Sequence, residues 1–190
     1  MGRRRRYEFL TMPLYHLGNK NQKGAGQLFE KIKLKKMTAK QFIRHIDKYI
    51  KNTLKLDSKC EYRLGEARWS HKADIEVEIS KPKMQLFIEV DGEQPHPDTN
   101  VTKYWYWMNK NKISKKVVLI HIFGTAFYDS NYRSRSELCN FIANKMHHEF
   151  RNFVYISVPK SKHHRSDGKW KLSDLLLPTK RAIRNIVKFT

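Results

Sequence analysis

Cysteine is scarce in this chain: Cys60 and Cys139 are the two in 190 residues. Neither sits in a CxxC or Cys/His spacing, which excludes the common zinc modules, though the two could pair with each other. Free thiols in an intracellular setting are the expectation. Long apolar runs are missing too. None approaches the roughly 18–20 residues of a membrane span, so no membrane partner is expected. The opening Met1-Gly-Arg-Arg-Arg-Arg6 leads into no long apolar region, which sets aside a secretory signal. A glycine-rich phosphate loop is absent, so ATP use is not indicated, and no Ser/His/Asp motif supports nucleophilic catalysis. Acid is the last scarcity. Asp and Glu number 18 against 39 Lys and Arg, a formal net charge of +21. Such a field draws polyanions by phosphate contact and counterion release. DNA, duplex or branched, is the expected partner, and a cytoplasmic, nucleoid-associated location follows from it.

What is present suits one domain with terminal appendages. Hydrophobic residues make up 39% and aromatics 12%, enough for a packed interior. Residues 1–23 read as a basic arm, 24–158 as an α/β core, and 159–190 as a basic loop and helix. Gly24 to Lys36 carries a helical pattern. Thr38 with Gln41 forms a capping-box signature for a second helix, whose Phe42, Ile43, Ile46, Tyr49, Ile50 and Leu54 share one face. A short strand is expected near 60–64. Ile75, Val77 and Ile79 then alternate with Asp74, Glu76 and Glu78 as in a half-buried strand. Glu76 and Glu78 are expected on its solvated side. After a turn at Pro82, Gln85–Val90 forms the next strand, and Gly92 to Pro97 ends it. A helix rich in aromatics follows over 99–112. Val117–Phe123 is apolar enough for a central strand covered on both faces, with His121 a satisfied core histidine. Ser134 and Glu137 form the capping box of a helix to Arg151. Phe153–Val158 is a strand, and a short basic helix is expected after Pro178. The order predicts a mixed sheet flanked by helices.

Asp74 and Glu89, 15 residues apart, fall on neighbouring predicted strands. Glu89 and Asp91 leave the same face of theirs. Apolar Phe87, Ile88 and Val90 surround them. Carboxylates in such company lose hydration and repel one another, so they need a cation or hydrogen-bond donors. Oxygen donors of this kind suit Mg²⁺ or Mn²⁺ working on phosphate.

Ala73-Asp74 followed by Ile88-Glu89-Val90-Asp91-Gly92 resembles the PD-(D/E)xK nuclease superfamily. The branch nearest in flavour is that of small nucleases similar to very short patch repair endonucleases, where Asp-Gly and a nearby His follow the acid. Here that stretch reads Glu89-Val90-Asp91-Gly92-Glu93-Gln94-Pro95-His96. The resemblance implies a restriction-endonuclease-like α/β fold, a mixed central sheet flanked by helices, and metal-dependent hydrolysis of DNA phosphodiesters. It implies metal ligands at Asp74 and Glu89, help from Asp91, and a further acid at Glu30 or Glu66. The chain departs from the pattern in two places. Ala73 stands where the family has Pro, and Asp91 stands where it has Lys. Gln94, His96, Lys72 or a second metal ion is left to supply what that Lys does.

Phosphate contacts are expected from Arg3, Arg4, Arg5 and Arg6, from Lys72, Lys103 and Lys110, and from the late loop at Lys160, Lys162, His163, His164, Arg165 and Lys169. Within Tyr104-Trp105-Tyr106-Trp107, most rings are expected in the core, with Tyr104 or Trp107 the one to approach DNA. A homodimer would let one site per chain cut both strands. Two rival readings are a Holliday-junction or branched-DNA resolvase of the same fold and a non-catalytic binder descended from a nuclease.

Overall fold

A computed structural model describes residues 37–65, 71–92, 95–124, 133–158 and 172–188. The Gly24–Lys36 helix and the late basic loop lie outside these residues. Helix α1 (Ala39–Thr53) begins at the expected cap: the Thr38 hydroxyl accepts from Gln41 N–H at 3.2 Å, and the Gln41 side chain accepts from Thr38 N–H at 2.9 Å. Fifteen residues make a marginal helix alone. Burial of Phe42, Ile46 and Ile50, about 1.5–3 kcal/mol each, holds it on the sheet.

Five strands form one mixed sheet in chain order: β1 (Ser58–Arg63), β2 (Lys72–Ile79), β3 (Met84–Asp91), β4 (Lys116–Phe123) and β5 (Phe153–Val158). The first three pair antiparallel, and β3, β4 and β5 pair parallel. The parallel joins run through α2 (Asp98–Asn111) and α3 (Arg133–Glu149), and α4 (Leu172–Lys188) closes the described order. Every residue of β3 is buried, which requires cover on both faces. On one side Met84, Leu86, Ile88 and Val90 meet α1 and α4. On the other Phe87 packs among Val101, Tyr104 and Trp107 of α2, with Cys139 and Met146 of α3 in the same core. No helix among the described residues is long and apolar enough to cross a membrane.

Four local expectations need correction. Glu76 is buried, not solvated: it lies beside Phe87 across the β2–β3 pairing, and Gln85 Nε2 donates to it at 3.3 Å. Ser134 lies within α3, which already includes Arg133, so it is not the cap. Helix α4 begins six residues before Pro178 and carries it inside. Its buried Leu175, Thr179 and Ile183 outweigh the backbone bond that proline forfeits. Tyr104 and Trp107 belong to the core, while Tyr106 is the ring left exposed at 62%.

The carboxyl ends of β3 and β4 meet through two glycines. Gly124 N–H donates to the Asp91 carbonyl at 2.7 Å. A Cβ at Gly124 would stand 2.5 Å from the Gly92 carbonyl oxygen, so no side chain fits there. That close approach fixes the end of β3 where the carboxylates cluster.

Candidate active site

Strand alternation decides which face Glu89 and Asp91 occupy. Since Ile88 and Val90 point to α1 and α4, the two acids point toward α2. The β2–β3 register pairs Ile75 with Ile88. Continued by one residue, it sets Asp74 opposite Glu89. Asp74 Oδ2 accepts from Val90 N–H at 2.7 Å, tying the first acid to the strand of the other two.

Helix α2 supplies the covering layer. Asn100, Lys103, Tyr104 and Trp107 follow the i, i+3, i+4, i+7 spacing of one face. Lys103 is 8% exposed, and its Nζ lies 2.9 Å from Glu89 Oε2. The same ammonium donates to the Lys72 carbonyl at 2.6 Å and to Asn100 Oδ1 at 2.8 Å. The Tyr104 hydroxyl donates a short hydrogen bond to Glu89 Oε1. Asn100 Nδ2 donates to Asp91 Oδ1 at 2.7 Å. His121 Nε2 meets Asp91 Oδ2 at 2.5 Å, and His121 Nδ1 lies 3.0 Å from the Tyr155 hydroxyl. One continuous polar chain thus runs from Tyr104 through Glu89, Lys103, Asn100, Asp91 and His121 to Tyr155.

Burial sets the electrostatics. Lost hydration pushes Glu89 up to about 8, with the Lys103 ammonium pulling part of the way back. Desolvation also raises Asp74, against the bond from Val90 N–H and the charge of Lys103. Tyr104 is driven well upward by burial and by the neighbouring Glu89 charge. Burial therefore disfavours the charged forms of both carboxyl groups, even with the Lys103 ammonium beside them. Among the described residues no group of three His, Cys, Asp or Glu side chains is placed to hold a metal ion. Of the two carboxyls that the resemblance gives to a metal, Glu89 has both oxygens engaged, by Tyr104 and Lys103, and Asp74 has Oδ2 engaged by Val90 N–H, so an ion there would compete with these partners for all but Asp74 Oδ1.

The structure brings Asp74, Glu89 and Asp91 together with Lys103. It does not use Lys103 as an exposed phosphate contact. Lys72 is exposed and paired with Glu61 at 2.9 Å. Lys110 is exposed over the Tyr106 ring. His96 is exposed just before α2. Glu30, Glu66, Gln94, Arg3–Arg6, Lys160, Lys162, His163, His164, Arg165 and Lys169 lie outside the described residues. Sequence reasoning missed Asn100; it took His121 for a satisfied core histidine, which it is, without naming Asp91 and Tyr155 as its partners. The available signal was Asn100 and Lys103 recurring at helical spacing with Tyr104 and Trp107, polar groups on an otherwise apolar face.

Removing His121 tests how much the network holds. Asp91 is fully buried, and phenylalanine at 121 would leave Asn100 as its one remaining side-chain donor. His121→Phe is expected to cost about 3–5 kcal/mol, against about 1 kcal/mol for Tyr155→Phe. Urea unfolding of both variants checks this, and equal small losses would show that the pair carries little.

No family model, curated protein or solved structure matches this chain.

Proposed function

We propose that the chain is a metal-dependent endonuclease that hydrolyses DNA phosphodiesters on a restriction-endonuclease-like plan. The observation that carries this reading is the β2–β3 register, which sets Asp74 opposite Glu89 with the Lys103 ammonium 2.9 Å from Glu89. A helix, three antiparallel strands, a helix and a parallel strand agree with the mixed sheet that the resemblance implies. Asp74 and Glu89 would hold a divalent ion, Mg²⁺ or Mn²⁺, with Glu89 shared between it and the Tyr104 and Lys103 contacts, and the ion would supply phosphate charge neutralisation and a water of lowered pKa.

The chain's own residues do the rest. Lys103 supplies from α2 the fixed cation that Asp91 cannot. Three acceptors anchor it in low-dielectric surroundings, where a preorganised charge acts strongly. Asp91 is a positioning residue: both its oxygens are engaged, one by His121 and one by Asn100, and Asn100 in turn holds Lys103. The basic surface holds the DNA backbone. Cutting both strands with one site per chain calls for a homodimer. A second reading, a non-catalytic binder, is favoured by the burial of Asp91 at the position of the family Lys.

Plasmid and synthetic-junction DNA incubated with Mg²⁺, Mn²⁺ or chelator tests the proposal. Metal-dependent cutting is expected, and junction-selective cutting would make the enzyme a resolvase. Binding with no cutting of any substrate would leave the non-catalytic reading.

A further inference from the structure

On the side of the sheet away from the carboxylates, α1 and α4 lie next to each other. A Cβ at Gly92 would stand 3.9 Å from both Ala39 and Leu172, at the two helix starts. About ten residues on, Tyr49 of α1 meets α4: Arg184 Nε donates to its hydroxyl at 3.2 Å, and Lys180 Nζ lies 5.1 Å from its ring centre. The helices therefore run side by side in the same direction. Their apolar faces are spent on the sheet through Phe42, Ile46, Ile50, Leu175 and Ile183.

Their outer faces are basic to an unusual degree. Lys40, Arg44 and Lys48 repeat at i, i+4 along α1, and Lys180, Arg184 and Lys188 repeat at the same spacing along α4. Each step is about 6 Å along the axis. Like charges at this spacing destabilise a helix. Among the described residues the one ion pair made by either helix is Lys51 with Asp47 at 3.0 Å. Lys180 and Arg184 meet Tyr49, and Lys40 acts on the exposed Glu61, so the folding cost of two adjacent ladders of like charge is offset only in part within the described chain. A polyanion offsets the remainder. Leu177 is the one large apolar side chain exposed on these helices among the described residues, which gives a lipid bilayer little to bury.

We infer that the outer face of the α1–α4 pair is a second nucleic-acid-binding surface, which takes the phosphate backbone of a duplex segment across the sheet from Asp74 and Glu89. The inference rests on the nucleic-acid partner proposed above, but not on cleavage.

The test uses the full chain and a labelled duplex in chelator, so that no cutting occurs, followed by fluorescence anisotropy over a potassium chloride series. A variant carrying Lys40→Gln, Arg44→Gln and Lys48→Gln is compared with one carrying Lys81→Gln, Lys83→Gln and Lys145→Gln, exposed lysines elsewhere with the same loss of charge. The α1 variant is expected to bind at least about tenfold more weakly and to flatten the log–log salt slope by about 2.7, while the control changes about twofold or less. Its melting temperature should hold or rise as like-charge repulsion is relieved. Equal losses in both variants, or none in the α1 variant, would overturn the inference. So would loss of binding to phosphatidylserine vesicles with duplex affinity intact. Weakened binding by the α1 variant of a chain that never cuts DNA would sustain this surface and sink the nuclease reading alone.

Discussion

Asp74→Asn is expected to lower metal-dependent DNA cleavage by about a thousandfold and leave thermal stability unchanged or higher. Asparagine keeps an oxygen to accept the Val90 N–H, which Asp74 Oδ2 now holds at 2.7 Å. It removes a negative charge that burial already disfavours. Structure therefore loses nothing, whereas a cation site loses one of its two carboxylates. Several kcal/mol of transition-state charge stabilisation corresponds to rate losses on the order of a thousandfold. A carboxylate kept only for folding would behave otherwise. Its amide variant would cut, or fail to cut, as the parent does. Cleavage rates measured under single-turnover conditions, beside melting curves, separate the cases. A rate within about tenfold of the parent would remove Asp74 from the chemistry.

What could be read in advance follows the physics of each element. Period-two alternation in β2, the unbroken apolar run of β4 and the Thr38–Gln41 cap are local signals, and the strands and α1 stand where those signals put them. Asp74, Glu89 and Asp91 were legible as a cluster because adjacent strands and a two-residue spacing suffice to bring them together. Their partners were not. Lys103 looks like a surface cation until α2 is laid on the sheet, and the bond from His121 to Asp91 depends on the parallel β3–β4 pairing, 30 residues apart in sequence. Glu76 misled because alternation tells which face a residue takes, not whether neighbouring side chains cover it there. Pro178 misled because a local breaker was weighed without the packing that holds α4 around it.

Glu89→Gln should flatten the dependence of stability on pH. In the folded chain burial holds the Glu89 carboxyl near pH 8, against 4.5 for the ordinary group. Folding therefore binds a proton there between those values. The associated stability is fully present below the ordinary value and is lost as pH rises through about 8. At about 1.4 kcal/mol per pH unit, the ceiling is about 5 kcal/mol across that window, comparable with the whole stability of a small domain. Lys103 stays beside position 89 in both proteins, so the difference between their profiles isolates the carboxyl. Urea unfolding at steps from acid to mildly alkaline pH should show the parent weakening while the glutamine variant stays level. Mg²⁺ or Mn²⁺ should then restore part of the parent's loss at the alkaline end, since an ion that binds the folded state alone stabilises it, and should do little for the variant. Parallel pH profiles in the two proteins would mean that Glu89 keeps its ordinary affinity for protons. An equal metal effect in both would place the ion elsewhere on the chain.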